Sequence, residues 1–390
     1  MLGIQDLELF SLPEEHRLLQ KSLRRYVDQE MIPVEMESFD GAEYREGFLT
    51  RFQDGMKNLG LWLMDAPEEF GGAGLDLLAK AVVWSELGRT TAIPARDDQI
   101  TGPTVRSILY SLEGDLRDRY LLPVLQGEKR SCFAQTEPDA GSDPGSMKTT
   151  AVLNGDYYVI NGTKRFITGA DKADFMQLMA ATDRTRGSRG GISCFLVDMS
   201  TPGVLIGRCD RTMMGDSTWE ISLTDVRVPR SQLVGEEGGG FALAQEWLCA
   251  GRVKHGARAL GVAERALEMA TSYAKQRTTF GQPLSKRQGI QWMLGDIYMD
   301  LQIGRMLVWS AAAKVDGGGD ARIEAFHCKY FCDEMAFRAI DVCMQIHGGA
   351  GLMTELPIER MWRQQRSYRI TEGASEVVRD VMARHVLKTY

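Results

Sequence analysis

The spacing of apolar side chains changes twice along this sequence, near residue 131 and near residue 236. Residues 1–130 and 236–390 have apolar residues at helical spacing, whereas residues 131–235 have short β-like runs separated by Gly and Pro. Few folds accommodate such a change of period. The sequence therefore predicts an α+β chain with an N-terminal α-helical domain, a middle β-barrel or β-sheet domain and a C-terminal α-helical bundle domain, in those three ranges.

Short motifs locate several of the elements. Ser11 and Glu14 form a capping box, which predicts the start of the first helix. Asn154-Gly155 separates two apolar runs and predicts a β-hairpin, and Asn161-Gly162 predicts a second tight turn. Further β-strands are predicted at Phe175–Ala180, Ile192–Val197 and Ile221–Val228.

The charge and cysteine content narrow the functional classes. The 390 residues include 46 Lys and Arg against 53 Asp and Glu, a net charge of -7, which disfavours general binding to nucleic acid or anionic membranes. The seven scattered cysteines favour a reduced compartment. No secretory pattern and no run of about 20 apolar residues is present. We expect a cytoplasmic protein, or a mitochondrial matrix protein if a transit peptide has been removed.

Common cofactor and metal motifs are absent. His347-Gly348-Gly349-Ala350-Gly351 follows a helical segment, so it is not a dinucleotide-binding fingerprint. His327, Cys328 and Cys332 lie close together, but a zinc site usually needs four ligands and free cysteines are commonly buried. We therefore predict no metal site.

Two polar segments are harder to explain as scaffold. The hydroxyl and backbone N–H groups of residues 133–143 are suited to holding a polar ring edge or phosphates, although a solvated loop is the alternative. In residues 369–376, Glu372 lies beside a glycine that permits close approach of a ligand. The alternative there is helix capping by Ser375 and Glu376.

These two segments and five others resemble the acyl-CoA dehydrogenases, in the order found in that family and over nearly the whole chain. The matching segments are Pro67–Gly72, Thr136–Asp143, Asn161–Thr168, Gly238–Phe241, Arg277–Gly281, Gln345–Gly351 and Thr371–Glu376. The resemblance implies FAD as cofactor, an acyl-CoA substrate and a homotetramer or homodimer.

The resemblance also implies cofactor-binding residues. Those along the flavin and the acyl-CoA are Phe133, Gln135, Thr136 and Ser142. Phe166 matches an aromatic residue that packs on the isoalloxazine, and Thr168 matches a hydroxyl beside flavin N5. Residues matching those that bind the FAD of a neighbouring subunit are Arg277, Phe280, Gln288, Gln345 and Gly349. Ala374, in place of a common threonine, and Glu376 match contacts to the adenine ribose and diphosphate.

Glu372 matches the catalytic base of most family members. Some members carry the base immediately before the arginine that matches Arg252, but that position is Gly251 here, which cannot act as a base. The implied substrate-binding residues are Ser142, Arg252, Thr371 and Gly373. Cys249 replaces a frequent acid near Arg252, which weakens the transfer of a CoA contact.

Thr371 stands where many members have tyrosine, so a branched, cyclic or bulky acyl group is one possible substrate; the alternative is that other residues fill the gap. Arg96, with Asp97 and Asp98, is a candidate partner for a distal carboxylate, or forms a surface ion pair.

The implied reaction is α,β-dehydrogenation of an acyl-CoA to the trans-2-enoyl-CoA. Glu372 takes the α-proton, flavin N5 takes the β-hydride, and an electron-transfer flavoprotein accepts the electrons. An acyl-CoA oxidase and an enoyl-CoA reductase are alternatives on the same scaffold. A DNA-binding alkylation-response relative is a remote alternative, suggested by six arginines in residues 360–388, and Glu372 argues against a non-catalytic flavin-binding scaffold.

Overall fold

The computed structural model describes residues 12–94 and 99–390, without the side chains of residues 246–248. Ser11 of the predicted capping box lies outside the described residues, and the first helix begins at Glu14, after Pro13. Arg96, Asp97 and Asp98 also lie outside them.

The chain forms two compact units. The first, called the helical unit below, comprises Met1–Asp65, Ala73–Pro94 and Cys249–Tyr390. The second, the sheet unit, comprises Ala66–Gly72 and Ala95–Leu248. The three domain ranges predicted above stay a prediction.

The helical unit contains most of the long helices. Its helices and two short hairpins are α1 (Glu14–Tyr26), β1 (Phe39–Asp40), β2 (Glu43–Tyr44), α2 (Phe48–Asn58), α3 (Leu77–Leu87), most of α6 (Gly240–Gln276), β11 (Thr278–Thr279), β12 (Gln282–Pro283), α7 (Gln288–Asp316), α8 (Arg322–His347), α9 (Ile358–Tyr368) and α10 (Ser375–Thr389). A π-helical turn, Val27–Met31, extends α1.

Helix α3 is apolar on nearly all sides, which is the pattern of a helix buried in a core. Asp76 caps its N-terminus by accepting a hydrogen bond from the backbone N–H of Ala79 at 2.6 Å. Its one buried carboxylate, Glu86, accepts a hydrogen bond from the Arg24 guanidinium at 2.9 Å. Arg24 also contacts Glu264 of α6, so a charge network joins three helices of this unit.

The sheet unit is built on an eight-stranded sheet. Its elements are α4 (Gly114–Leu116), α5 (Leu122–Leu125), β3 (Ser131–Ala134), β4 (Thr150–Asn154), β5 (Tyr157–Thr168), β6 (Phe175–Ala181), β7 (Ile192–Asp198), β8 (Val204–Arg211), β9 (Ser217–Pro229) and β10 (Leu233–Val234). The strand order is β10-β7-β6-β4-β5-β9-β8, and β3 pairs in parallel with β6. A buried apolar cluster that includes Tyr158 and Phe195 forms its core.

Most of the predicted strands are confirmed. Asn154 pairs with Tyr157 across the predicted hairpin, and β6, β7 and β9 cover the three later apolar runs. Strands β3 and β8 were not predicted, and β8 lies at the end of the strand order with most of its side chains exposed or half-buried. An exposed edge strand has no apolar face that would reveal it in the sequence.

The second tight turn, predicted at Asn161-Gly162, is wrong, because both residues lie inside β5. The pairing of β5 with β9 shifts register between Ile160 and Gly162, so the glycine marks a bulge. A Cβ at Gly162 would lie 2.4 Å from the Thr149 hydroxyl oxygen. Close approach of two backbones, not chain reversal, therefore requires this glycine.

None of the helices among the described residues has the length and apolar character needed to cross a membrane. Within the same residues, no group of three or more His, Cys, Asp or Glu side chains is arranged to hold a metal ion. Cys328 and Cys332 are buried on α8.

Replacing Gly162 with alanine should destabilise the protein by about 1–3 kcal/mol, since the new methyl group has no space beside Thr149. Gly207 of β8 is a matched control, because its Cβ would lie 3.7 Å from the nearest atom. Gly207→Ala should leave stability unchanged or raise it by about 0.5–1 kcal/mol. Urea unfolding measures both, and equal effects would show that the bulge does not depend on this glycine.

Candidate active site

Glu372 lies in the short loop between α9 and α10, and its backbone is in the left-handed region with φ +56°. A left-handed conformation costs a residue other than glycine about 1–3 kcal/mol and persists where the surroundings enforce it, which is common at functional sites. Gly373 follows with φ +109°. The loop thus holds an acidic side chain in a strained, defined position.

The carboxylate of Glu372 faces helix α6. A Cβ at Gly251 would lie 3.0 Å from Oε2 of Glu372, so the glycine leaves room for the carboxylate. The imidazole of His255, one helical turn further along, places Nε2 3.2 Å from the same oxygen. The Glu372 side chain is 30% exposed, which leaves it accessible to a ligand.

Arg252 is buried beside this carboxylate. Its guanidinium lies 4.1 Å from the centre of the Phe326 ring. Burial lowers the pKa of Arg252, while the nearby Cys249 and Glu372 act in the opposite direction. Its Nε is buried and has no hydrogen-bond partner among the described residues. A buried donor without a partner is costly, so this atom is suited to meeting an acceptor on a ligand.

The start of α10 does not support the helix-capping explanation for this loop. Ala374, not Ser375, precedes the first helical residue, and no side chain caps that end. The Ser375 hydroxyl instead donates to Glu334 at 2.7 Å. Glu376 is exposed in the first turn of α10. The strained conformation of Glu372 is therefore not a by-product of a capping motif.

The sheet unit brings together predicted flavin-binding residues that follow the end of β3 and residues on β5. The carbonyl of Gln135 accepts a hydrogen bond from Lys164 Nζ at 3.0 Å, and the carbonyl of Thr136 accepts one from the Arg165 N–H at 2.8 Å. Phe166 and Thr168 follow on the same strand. Ser142 is exposed further along the loop that begins at Gln135.

Two aromatic residues that the sequence predicts to bind the cofactor are exposed, and both have a strained backbone conformation. Phe166 has φ +58° and is 53% exposed, and Arg165 lies over its ring at 4.9 Å. Phe280 has φ +48° at the tip of the β11–β12 hairpin and is 97% exposed. Strained backbone of this kind is common at ligand-binding sites, so these two exposed aromatic residues are candidates for contact with a ligand.

The remaining predicted cofactor residues lie at the surface of the helical unit. Arg277 and Gln288 flank the β11–β12 hairpin, and Gln345 and Gly349 lie at and after the end of α8; all four are exposed. Phe133 is half-buried on β3, where Arg106 lies over its ring at 5.8 Å.

Three family models match the chain in order: the N-terminal domain of acyl-CoA dehydrogenase over residues 13–128, the middle domain over residues 132–226 and the C-terminal domain over residues 238–387. The chain belongs to the acyl-CoA dehydrogenase family. Members of this family named dehydrogenases and reductases are oxidoreductases, and this chain is an enzyme of that class.

Relatives of both kinds match nearly full length. The chain is 38% identical to the 3-(aryl)acrylate reductase of Clostridium sporogenes, over 96% of this chain and 99% of that protein. It is 37% identical to the mitochondrial short-chain specific acyl-CoA dehydrogenase of Mus musculus, over 97% of this chain and 92% of that protein. The solved structure of butyryl-CoA dehydrogenase from Megasphaera elsdenii superposes with a TM-score of 0.83 at 31% identity, covering 97% of this chain and 99% of that one.

The sequence analysis of this member of the acyl-CoA dehydrogenase family missed two residues beside the site. His255 follows Gly251 by four residues on α6, so helical spacing alone would have placed it beside any group that contacts Gly251. Asp333 of α8, 3.8 Å from His255 Nδ1, gave no signal in the sequence, because only the packing of α6 against α8 brings it there.

A buried ion pair fixes the end of β3 against β5, where several of the predicted flavin-binding residues lie. Lys164 Nζ lies 2.8 Å from Glu137 Oε1, and both side chains are buried. Burial lowers the pKa of Lys164 to about 8, against the opposing effect of Glu137. Burial acts to raise the pKa of Glu137, but Lys164 and hydrogen bonds from Thr149 and Lys148 hold it below its usual value.

Lys164→Met should therefore destabilise the protein by about 3–5 kcal/mol, since it leaves the Glu137 carboxylate buried without its cation. The double variant Lys164→Met/Glu137→Gln should recover part of that loss, because no unpaired charge remains. Thermal unfolding of the three proteins measures the effect. A double variant no more stable than Lys164→Met would show that the pair does not act as a unit.

Proposed function

We propose that this protein removes hydrogen from Cα and Cβ of an acyl-CoA thioester, giving the trans-2-enoyl-CoA, with Glu372 as the base that takes the α-proton. The observation that carries the proposal is the position of Glu372: strained backbone holds its carboxylate against Gly251, beside the buried Arg252.

The residue types suit the chemistry. The α-proton of a thioester is a weak acid, so its removal needs a well-placed base. An acyl chain bound against the partly exposed Glu372 would exclude water and make the carboxylate a stronger base. Arg252, with an unpartnered Nε, is the proposed contact to the substrate, together with Ser142, Thr371 and Gly373.

FAD is the proposed cofactor, and the residues present fit it. The exposed ring of Phe166 offers a stacking surface, and fixed carbonyls at Gln135 and Thr136 lie beside it. The hydroxyl groups of Thr136 and Thr168 would hold the polar ring edge. When bound, FAD accepts the β-hydride of the substrate. Ala374 and Glu376 are proposed to contact the adenine ribose and diphosphate.

A homotetramer or homodimer is proposed as the working assembly. Phe280 is almost fully exposed beside Arg277 and Gln288, as expected of residues that bind the FAD of a neighbouring subunit. One face of α7 also exposes large apolar side chains, which another copy of the chain would cover. These are Trp292, Met299, Ile303 and Met306.

Reduction of an enoyl thioester is the second candidate, favoured by the match to a relative named acryloyl-CoA reductase (NADH) from Anaerotignum propionicum, 36% identical over 97% of this chain and 96% of that protein. The same residues serve both directions, because a base that takes the α-proton in one direction returns it in the other. In the oxidative direction an electron-transfer flavoprotein is the proposed electron acceptor, by analogy with the family. The cytoplasm, or the mitochondrial matrix for a processed protein, is the proposed location.

Three of the six arginines in residues 360–388 form ion pairs, which argues against the DNA-binding alternative. Arg363 pairs with Glu359 at 2.7 Å, Arg369 with Glu334 at 2.7 Å and Arg384 with Asp380 at 2.6 Å. Paired guanidinium groups give little net positive charge for phosphate contacts, which dominate affinity for DNA.

Glu372→Gln should slow flavin reduction by acyl-CoA by on the order of 10²–10⁴, the usual share of a positioned general base. The amide keeps the size of the side chain but has no basic oxygen, so FAD and acyl-CoA should still bind. Glu376→Gln removes a proposed contact to the FAD and not the base, so once FAD is bound it should leave the rate of flavin reduction largely unchanged.

Anaerobic stopped-flow absorbance measures both variants. Near-parental reduction in Glu372→Gln, together with loss of reduction in Glu376→Gln, would transfer the role of base to Glu376 and contradict the assignment.

Thr371→Tyr should lower kcat/KM for branched or cyclic acyl-CoAs more than for short straight ones. If the threonine opens the acyl pocket, the larger ring imposes a shape penalty of about 1–3 kcal/mol, or a contrast of roughly 10- to 200-fold. Steady-state assays with both substrate classes decide the point. Equal losses would mean that other residues shape the pocket.

A further inference from the structure

We infer that His255 is a positioning residue for Glu372, holding the carboxylate through the contact between its Nε2 and Oε2 of Glu372. This inference rests on the proposed role of Glu372 as the base. The two atoms lie 3.2 Å apart, a close contact between an imidazole and a carboxylate that does not have hydrogen-bond geometry in this structure, and both side chains belong to the helical unit.

The imidazole itself is fixed on its other sides. Its Nδ1 faces Oδ2 of Asp333 at 3.8 Å, an electrostatic contact that is too long for a hydrogen bond. The ring packs against Tyr368 in a T-shaped arrangement, with 5.1 Å between centroids. A histidine confined by α8 on one side and α9 on another presents Nε2 to the loop in one direction.

Asp333 is in turn held by buried partners. It forms an ion pair with Lys329, whose ammonium also donates to the backbone carbonyl of Tyr368. Gln365 Nε2 donates to Asp333 Oδ1 at 3.1 Å. Asp333 and Lys329 are both buried, so the chain of contacts behind the imidazole is rigid and shielded from water.

A packed core histidine is the simpler explanation, but it does not account for the direction of Nε2. That nitrogen lies 3.2 Å from a carboxylate oxygen on a strained loop, not beside a buried backbone group. A small rotation of the imidazole would let its Nε2–H donate to Oε2, and such a hydrogen bond would limit rotation of the carboxylate about its last bond. The other carboxylate oxygen would then be presented to the substrate in the same position in each turnover, which is how orientation contributes to rate.

The contact also affects when Glu372 is ionised. An N–H donor stabilises a carboxylate anion, so removing it makes the carboxylate easier to protonate. The charged groups around the pair are Arg252 on α6 and Asp333 and Lys329 on α8. They remain in a His255 variant, so a change in the pH dependence of proton removal reports the imidazole.

The test measures proton removal alone. An arylacetyl-CoA has α-protons but no β-hydrogen, so it cannot be oxidised to an enoyl-CoA. In deuterated water, removal of an α-proton by Glu372 therefore leads only to exchange of that proton for deuterium. Mass spectrometry of the recovered thioester, between pH 5 and 9, gives the exchange rate. The variants are His255→Leu, which removes the donor, His255→Gln, whose amide N–H is placed near the position of Nε2, and His385→Leu as an exposed control on α10.

His255→Leu should slow exchange by on the order of 10- to 100-fold, the cost of a misplaced reacting group. The exchange rate of His255→Leu should also begin to rise at a higher pH than that of the parent, since the Glu372 carboxylate has lost a hydrogen-bond donor. His255→Gln should recover most of both effects, and His385→Leu should match the parent.

Two outcomes overturn the inference: exchange in His255→Leu at the parental rate and pH dependence, or equal losses in the Leu and Gln variants with no shift in pH dependence. The second outcome would show a purely structural role. Failure of the proposed function is distinct, because parental exchange in Glu372→Gln would remove Glu372 as the base whatever the His255 variants do.

Discussion

The contact between the Glu372 loop and helix α6 is the constraint on which the proposed chemistry depends. Glu372 has a left-handed backbone conformation, and Gly251 lies in the middle of helix α6. Both features are energetically unfavourable, and both are needed to place the same Glu372 carboxylate oxygen. A larger residue at 251 would crowd this carboxylate. The residue at 251 must therefore be small if the carboxylate is to keep this position.

A second buried interaction performs a comparable role in the sheet unit. The Lys164–Glu137 pair fixes the strand end that carries Gln135 and Thr136, so that backbone carbonyls keep their positions without apolar packing. Buried pairs of this kind are costly to form and costlier to break. Their value here is the fixed direction of groups that are proposed to face a ligand.

The sequence predicted what depends on local pattern. Three features could be predicted because each depends on neighbouring residues: the hairpin at Asn154-Gly155, the apolar strands, and the change from helical to β spacing. The family motifs then predicted Glu372 as the base, and that assignment stays a prediction. Features that depend on packing between distant residues could not be predicted. Gly162 was assigned to a turn because nothing in the sequence indicates that Thr149 lies against it. Strand β8 was missed because it has no buried face.

The same distinction holds within the candidate site. Gly251 was noticed because it occupies a known position of the base, but the partners of Glu372 required the structure. His255 is separated from Glu372 by more than a hundred residues, and Asp333 reaches the imidazole only through the packing of α8. Helical spacing can pair His255 with Gly251, but no local rule pairs either with the loop after α9.

Anaerobic titration of the purified protein with a panel of straight, branched, cyclic and aryl acyl-CoAs tests the central claim most directly. The account predicts a yellow protein with FAD bound, bleaching of the flavin absorbance by at least one thioester, and formation of one equivalent of the matching enoyl-CoA per flavin reduced. A colourless protein that takes up no added FAD, or a bound flavin that no acyl-CoA reduces and whose reduced form no enoyl-CoA reoxidises, would contradict it.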